Sequence, residues 1–265
     1  MLQQVVSRLP PGVVKAVGRA QFRSPLIARA VRLATPRLTG SATIRRGAGA
    51  GLRFDATGGY PGYLLGTSEP EEQAFVAAHL RRGDVFYDIG ANVGFYSTIA
   101  ARLVGPEGHV YAFEPHPASA AQAARNAALN DFANVTVVQA AVSDREGRMT
   151  LSLSAHSATH KLGDAPGLEV DVLGLDRWAR EAAARPPSLV MIDAEGAELE
   201  VLHGMRGLLA DRRPVICCEV HWLGERFLDY CTDALAPLGY ELSPLGGGAP
   251  PSRPERWHAV LRVPA

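Results

Sequence analysis

The feature that most constrains the fold is an alternation of short apolar runs with alanine-rich stretches. The apolar runs are rich in β-branched residues and bounded by Gly, Pro or Asp, as are strands buried on both faces. They are VFYDIG (85–90), HVYAFEP (109–115), VTVVQAAV (135–142), SLVMIDAEG (188–196) and PVICCEVHW (214–222). The stretches of helical character are FYSTIAARLV, PASAAQAARNAALN, LGLDRWAREAAA and AELEVLHGMRGLLA. Strand and helix in alternation predict a parallel sheet covered on both faces by right-handed crossover helices.

Further strands are predicted around this core. MTLSLS (149–154) and LEVDVL (168–173) indicate two short strands inserted after the third core strand. Near the C-terminal end, GYELSPLG and WHAVLRV are joined by the Gly/Pro-rich loop GGGAPPSRPE, a pattern typical of an antiparallel hairpin. GLRFDATGGYPGYLLG (51–66) predicts a second hairpin upstream. The expected fold class is therefore α/β, with a doubly wound, mostly parallel, seven-stranded sheet.

Three regions are predicted from composition: a basic helical arm over 1–50, a hairpin or lid over 51–70 and the α/β domain over 71–265. Residues 1–54 contain ten Lys/Arg and no acid, so the other 211 hold 17 basic and 27 acidic residues. Such an arm contacts a membrane surface or an acidic partner, is an organellar transit peptide, or is a solvated helix. Because its arginines are scattered, the solvated helix is favoured.

Localisation is predicted to be cytoplasmic, with peripheral membrane contact through residues 1–54 as the alternative. No run approaches the roughly 18 to 20 apolar residues of a membrane span, and the N-terminus lacks a secretory signal pattern. Cys217, Cys218 and Cys231 form no CxxC pair and are interpreted as small core residues in a reducing compartment.

The stretch DIGANVG (88–94) stands at the predicted carboxyl end of the first core strand, where open α/β sheets bind ligands. Asp88 ends the strand, Gly90 and Gly94 permit a tight turn, and a helix begins near Phe95. Glu114 follows at the end of the second strand, where a carboxylate can accept hydrogen bonds from both hydroxyls of a ribose. The ligand is therefore expected to contain a nucleoside.

The turn also indicates which nucleoside. A pyrophosphate favours G-x-G-x-x-G, whereas this turn is D-x-G-x-x-x-G. An acid at this turn would repel a phosphate and suit a cationic amino-acid group. S-adenosylmethionine has an adenosine, a sulfonium and an ammonium group but no phosphate, and it is the predicted cofactor.

The stretches GDVFYDIGANVGFYS, VYAFEPHP, NVTVVQAAVSD and IDAEGAELEVLHGM make the chain resemble the FkbM-like methyltransferases, which have the class I, Rossmann-like fold. The resemblance covers roughly residues 70–225, and the I-D-x-E-G-x-E run followed by V-L-x-G is its most specific part. It implies a place for the ribose at Glu114 and for the adenine at residues 139–142, which include Ala141 and Val142. It implies that the methionyl part is surrounded by Asp88, Gly90, Asn92 and Gly94.

Candidate catalytic residues follow the fourth and fifth core strands: Asp193 and Glu195 after the fourth, Glu219 and His221 after the fifth. Neighbouring strands should place these four side chains around one crevice. Methyl transfer requires alignment of donor and acceptor, and an alcohol acceptor also needs a base or a metal ion. His221 is the predicted base, because imidazole is largely neutral in the cytosol.

Several alternatives remain at this site. Glu219 or Asp193 would orient the imidazole or hold the acceptor, and His221 could instead be a strand-end residue packed against Trp222. Asp193, Glu219 and His221 could also bind Mg²⁺, but two carboxylates and one histidine are too common to define a metal site, so this version is not favoured. Glu198, on the helix after the fourth strand, is interpreted as capping or pairing locally, with a surface role favoured over catalysis. A loop containing His156 and His160 is interpreted as lining the substrate site without metal.

The predicted function is S-adenosylmethionine-dependent O-methylation of a hydroxyl on a natural product, sugar or glycolipid. A nicotinamide-dependent oxidoreductase is disfavoured because G-x-G-x-x-G and a Tyr-x-x-x-Lys pair are missing. A non-catalytic nucleotide-binding module would be expected to have lost Asp88, Gly90 or Glu114. The acidic body and the lack of an Asn/Asp-Pro-Pro-aromatic motif argue against nucleic acid as the acceptor.

Overall fold

The structure is a computed structural model that describes residues 40–57, 59–152, 161–162, 167–251 and 256–264. Most of the predicted basic arm lies outside these residues, as does the loop with His156 and His160, and the division into three regions stays a prediction. Among the described residues, no helix has the length and apolar character needed to cross a bilayer.

The described residues form thirteen strands and eight α-helices. The strands are β1 (Ser41–Thr43), β2 (Arg53–Asp55), β3 (Val85–Ile89), β4 (His109–Phe113), β5 (Val135–Val138), β6 (Ala141–Val142), β7 (Gly147–Ser152), β8 (Lys161–Leu162), β9 (Gly167–Leu173), β10 (Leu189–Ile192), β11 (Val215–His221), β12 (Glu241–Pro244) and β13 (Arg256–Arg262). The helices are α1 (Pro61–Leu65), α2 (Pro70–His79), α3 (Phe95–Val104), α4 (Pro117–Ala128), α5 (Leu175–Glu181), α6 (Glu198–Gly204), α7 (Arg206–Asp211) and α8 (Glu225–Tyr230).

Seven strands form the main sheet, in the order β12-β13-β11-β10-β3-β4-β5. Its five core strands are parallel, β13 is antiparallel to β11, and β12 is antiparallel to β13. Strand order reverses next to β3, because the chain runs outward through β4 and β5 and then returns to β10 on the other side. The predicted fold class and the C-terminal hairpin are confirmed.

The central strands β3, β10 and β11 are buried on both faces, which explains why they are mostly apolar in sequence. Along β3, Phe86 packs into the apolar cluster on one face while Tyr87 and Ile89 pack into the cluster on the other. Along β11, Ile216 and Cys218 join the second cluster. All three cysteines are buried and free, as the sequence predicted.

The predicted hairpin over 51–66 is wrong in its second strand. Strand β2 pairs antiparallel with β1 upstream, and residues 61–65 form α1 instead. Pro61 occupies the start of this helix, where the missing N–H of proline costs no hydrogen bond, so the Pro-Gly pair starts a helix and does not mark a turn.

Two segments that the sequence predicts as single elements are each divided into two elements in the structure. The run VTVVQAAV splits into β5 in the main sheet and β6 in a second sheet of order β6-β9-β7-β8, and that sheet contains the two predicted inserted strands. The predicted helix over 197–210 breaks at Met205 into α6 and α7. The break follows Gly204, where an added Cβ would lie 2.0 Å from the backbone oxygen of Ser143.

Candidate active site

A cleft opens at the carboxyl ends of β3, β4 and β10. Its lining residues are Ile89, Gly90, Asn92, Phe113, Glu114, Pro115, Ala140, Ala141, Val142, Leu151, Asp193, Ala194, Glu195 and Ala197. Five of the seven predicted cofactor residues therefore lie at the cleft: Gly90, Asn92, Glu114, Ala141 and Val142. None of the described lining residues is Lys or Arg, so the cleft suits a ligand without phosphate groups.

Gly90 makes the turn after β3 possible. Its φ is +82°, and an added Cβ would lie 1.9 Å from the backbone oxygen of Asp193. Its N–H donates to the Phe113 carbonyl at 2.9 Å, which ties the turn to the end of β4. Glycine is required here because both the positive φ and the close approach of the β10 end exclude a side chain.

Glu114 is buried at the end of β4 and faces the cleft. Its two carboxylate oxygens accept hydrogen bonds from the backbone N–H groups of Asn92 and His116, each at 2.8 Å. Burial raises the pKa of Glu114 to about 7, although these two hydrogen bonds act in the opposite direction. The carboxylate is fixed in position, with lone pairs left to accept from a ligand.

Asp88 and Gly94, the other two predicted cofactor residues, lie behind the turn and are not among the described lining residues. The Asp88 carboxylate accepts hydrogen bonds from the hydroxyl and backbone N–H of Ser97 in the first turn of α3. Burial raises the pKa of Asp88 to about 6. An added Cβ on Gly94 would lie 2.9 Å from Cα and Cβ of Ala123, so this glycine lets α4 pack close to the start of α3.

The four predicted catalytic residues are brought together next to the cleft. His221 is 1% exposed, and its Nε2 lies 3.8 Å from Glu195 Oε2, 3.8 Å from Glu219 Oε1 and 3.9 Å from Asp193 Oδ1. We call this set, together with Glu198, the acidic crevice. Asp193 and Glu195 also line the cleft, so the cleft and the acidic crevice are continuous.

The surface role predicted for Glu198 is wrong, although the predicted local pairing is present. Its side chain is fully buried, and Oε1 lies 2.8 Å from His221 Nδ1 and accepts a hydrogen bond from the Gly196 N–H at 2.9 Å. A signal was present in the spacing, because Glu198, Leu202 and Met205 are four and three residues apart and all are buried. This spacing places the carboxylate on the core-facing side of α6.

Charged residues from distant parts of the chain also contact the acidic crevice. Arg256 of β13 forms an ion pair with Glu219, and His258 Nε2 lies 3.6 Å from the same carboxylate. Glu72 of α2 lies 3.1 Å from His258 Nδ1. Sequence reasoning missed Arg256, His258 and Glu72, since nothing in the local patterns links α2 or the C-terminal hairpin to this site.

Asp193 and Glu219, two carboxylates of the acidic crevice, have pKa values shifted in opposite directions. Burial and the negative charges of Glu219 and Glu195 raise the pKa of Asp193 well above its ordinary value. Burial alone would also raise the pKa of Glu219, but hydrogen bonds and positive charges from His258 and Arg256 lower it to about 2. The surroundings of Glu219 thus favour its ionised form, whereas those of Asp193 disfavour its ionised form.

Comparison with known proteins identifies a family. A model of the methyltransferase FkbM domain matches residues 88–242. The chain is 30% identical over 142 residues to the hexuronic acid methyltransferase AglP of Haloferax volcanii, a match covering 52% of this chain and 56% of AglP. It is 30% identical over 176 residues to the 31-O-demethyl-FK506 methyltransferase FkbM of Streptomyces tacrolimicus, covering 54% of this chain and 67% of that relative.

A solved structure is similar as well. The methyltransferase FkbM from Methylobacillus flagellatus superposes with a TM-score of 0.46 and 16% sequence identity, over 76% of this chain and 52% of that one. The chain spans little more than half the length of AglP and of this structure.

Proposed function

The chain belongs to the FkbM methyltransferase family, and we propose that it transfers the methyl group of S-adenosylmethionine to a hydroxyl oxygen of a sugar, glycolipid or other natural product. The observation that carries this proposal is that the cleft, which suits the donor, is continuous with the acidic crevice, which suits a hydroxyl. The cleft has the buried carboxylate of Glu114, which suits the hydroxyls of a ribose, and no basic lining residue among those described, and the acidic crevice opens from it at Asp193 and Glu195.

Each part of the donor has a place in the cleft. Glu114 accepts hydrogen bonds from the ribose hydroxyls, and Phe113, Ala141, Val142 and Leu151 offer apolar surface for the adenine. The methionyl part lies along the turn at Gly90 and Asn92. The sulfonium then lies beside Asp193. Its positive charge stabilises the ionised form of the Asp193 carboxylate.

The acceptor hydroxyl enters the acidic crevice. When bound, the donor supplies a methyl group on a positively charged sulfur: the acceptor oxygen forms the new C–O bond, the C–S bond breaks, and its electron pair stays on sulfur as S-adenosylhomocysteine. The residues of the acidic crevice accept hydrogen bonds from the hydroxyl, align it with the methyl group and take up its proton. The names of the two relatives, one for hexuronic acid and one for an O-demethylated natural product, support an acceptor of this class.

Transfer of labelled methyl groups tests this function. The purified chain is incubated with [methyl-³H]-S-adenosylmethionine and pairs of glycosides that differ by one hydroxyl replaced with hydrogen. The expected result is label in the hydroxyl-bearing member of a pair only, as an acid-stable methyl ether located by NMR, and loss of labelling in Glu114→Ala. Label on nitrogen or carbon, or equal labelling of both members, would contradict O-methylation.

A further inference from the structure

The geometry around His221 Nε2 points to a divalent cation site whose ligands are Asp193, Glu219 and His221. The binding of the ion does not depend on the proposed function. Its role in activating an acceptor hydroxyl does rest on that function. The sequence alone favoured a metal-free base at His221, and four observations of the structure now favour a bound cation.

The first observation is the protonation pattern of the imidazole. Glu198 Oε1 accepts from the Gly196 N–H and lies 2.8 Å from His221 Nδ1, so Nδ1 is the ring nitrogen that bears the hydrogen. In the neutral ring Nε2 is then an acceptor with a lone pair. Nε2 is buried and has no hydrogen-bond partner among the described residues, and it faces the acidic crevice.

The second observation is the spacing of the ligand atoms. Asp193, Glu219 and His221 each offer one atom, and these atoms lie within 4.8 Å of one another. Nε2 is 3.8 Å from Glu219 Oε1 and 3.9 Å from Asp193 Oδ1. Such a triangle has a point roughly 2.1 to 2.5 Å from all three atoms, which is the range of metal–oxygen and metal–nitrogen bonds in proteins.

The third observation is the charge at this point. A lone pair that lies 3.8 to 3.9 Å from oxygens of three carboxylates is electrostatically unfavourable, and Asp193 Oδ1 is likewise buried without a hydrogen-bond partner among the described residues. Arg256 forms an ion pair with Glu219 Oε1 and His258 Nε2 lies 3.6 Å from the same oxygen, so their positive charge acts mainly on Glu219. A divalent cation would compensate the remaining negative charge.

The fourth observation is that other residues orient two of the three ligands. His221 is oriented by Glu198, and Glu219 by Arg256 and His258, in the manner of the outer partners that fix metal ligands. A site of one imidazole and two carboxylates suits Mn²⁺, Mg²⁺ or Zn²⁺. A hydroxyl bound to the ion at the open side, where Asp193 borders the cleft, would lose its proton more readily, and His221 would act as a ligand and not as a free base.

Binding of Mn²⁺ to the full chain tests the site directly. The protein is treated with chelator, passed into metal-free buffer and titrated with MnCl₂, and free Mn²⁺ is followed by electron paramagnetic resonance. The variants are Asp193→Asn, which keeps the shape of the side chain, and His221→Ala. The control is Glu225→Gln, which removes an exposed carboxylate on α8 outside the acidic crevice. Binding of S-adenosylhomocysteine is measured on every sample.

We expect one saturable Mn²⁺ site per chain in the wild type and in Glu225→Gln, and at least about tenfold weaker binding in Asp193→Asn, since even outer partners of metal ligands change affinity 10- to 100-fold. Mg²⁺ and Zn²⁺ should displace Mn²⁺ from this site. The inference is overturned if wild-type chain that binds S-adenosylhomocysteine takes up no Mn²⁺, or if Asp193→Asn binds it equally well. In that case the proposed function stands without the metal.

Discussion

Glu198 Oε1 lies 2.8 Å from His221 Nδ1, and both side chains are almost completely excluded from solvent. The pair joins the start of α6 to the end of β11 and fixes which nitrogen of the imidazole faces the acidic crevice. Removing this buried carboxylate would change the orientation of the His221 imidazole. Glu198 therefore acts as a positioning residue for the contacts that His221 makes in the acidic crevice.

The substitution Glu198→Ala should lower the affinity for Mn²⁺ by about 10- to 100-fold, because the imidazole loses the partner that sets its tautomer and orientation. Glu198→Gln should recover much of this loss, since its amide oxygen can still accept from Nδ1. Affinity for S-adenosylhomocysteine should change less than twofold in both. An Mn²⁺ affinity in Glu198→Ala equal to that of the wild type would show that Glu198 does not position His221.

The affinity for S-adenosylhomocysteine should rise with pH. The ribose hydroxyls donate to Glu114, so binding favours its ionised form, while burial raises the pKa of the free carboxyl to about 7. Affinity should therefore increase by about tenfold between pH 6 and pH 8, as the ionised fraction does for such a group. Asp88, the charged neighbour of Glu114, has a pKa of about 6 and affects only the acid end of this range.

The matched control for this pH dependence is Glu114→Gln. Its amide cannot ionise, so the variant should bind more weakly at pH 8 and show little change between pH 6 and pH 8. Isothermal titration calorimetry at several pH values measures both chains. A pH profile in Glu114→Gln parallel to that of the wild type would assign the titration to another group.

Asp88 should make the stability of the chain pH-dependent. Burial raises the pKa of Asp88 to about 6, so the folded chain holds this proton more tightly than the unfolded chain does. Its stabilising contribution is present at low pH and is lost as pH rises through about 6. The free energy of unfolding of Asp88→Asn should therefore improve relative to the wild type by about 1.4 kcal/mol between pH 5 and pH 8, because about one pH unit of this window lies below the pKa of about 6, at 1.36 kcal/mol per unit.

Urea unfolding at pH 5 and pH 8 measures this effect, and Asp131→Asn is the control. The Asp131 side chain is 91% exposed and forms an ion pair with the exposed Arg53, so its replacement should change stability by less than about 0.5 kcal/mol at either pH. A constant difference between Asp88→Asn and the wild type at both pH values would contradict the assignment.

Two glycines with nearly the same backbone conformation allow the energetic cost of a positive φ to be measured separately from the cost of a steric clash. Gly83 and Gly90 have φ of +87° and +82°, but an added Cβ at Gly83 meets nothing within 4 Å, whereas at Gly90 it would lie 1.9 Å from the Asp193 oxygen. Gly83→Ala should cost about 1 to 2 kcal/mol through its positive φ alone. Gly90→Ala should cost about 1 to 3 kcal/mol more, from the forced shift of the β10 end.

Chemical unfolding gives both free energies, and calorimetry gives the donor affinity. Gly83→Ala should bind S-adenosylhomocysteine as the wild type does, while Gly90→Ala should bind it at least about tenfold more weakly because the turn and the Asp193 end of the cleft move apart. Equal stabilities of the two variants would show that the close approach at Gly90 is relaxed in solution.

The sheet could be predicted from the sequence because each buried strand is a continuous apolar run between Gly, Pro and Asp. The same logic located Glu114 and brought Asp193 and His221 to one place, since the carboxyl ends of neighbouring parallel strands meet at one edge. It failed at Pro61, where proline at the start of a helix looks the same in sequence as proline in a turn.

Other parts of the site depend on tertiary contacts that no local pattern encodes. The acidic residue Glu198 at the first turn of α6 is favourable for a helix whether it is exposed or buried, and only the packing of α6 against β11 decides which. Arg256 and His258 come from β13, and their distance to Glu219 follows from the antiparallel pairing of β13 with β11. Asp88 matched a ligand-binding pattern, yet its carboxylate faces Ser97 in α3.

The central claim is that the cleft binds the methyl donor through Glu114, and calorimetric titration of the full chain with S-adenosylhomocysteine tests it most directly. NAD⁺ is titrated in parallel, and Glu114→Ala is the matched variant. The account predicts one site per chain for S-adenosylhomocysteine, no binding of NAD⁺, and at least about tenfold weaker binding in Glu114→Ala, equivalent to 1.4 kcal/mol or more. A folded chain that binds NAD⁺ but not S-adenosylhomocysteine, or a Glu114→Ala variant with wild-type affinity, would contradict it.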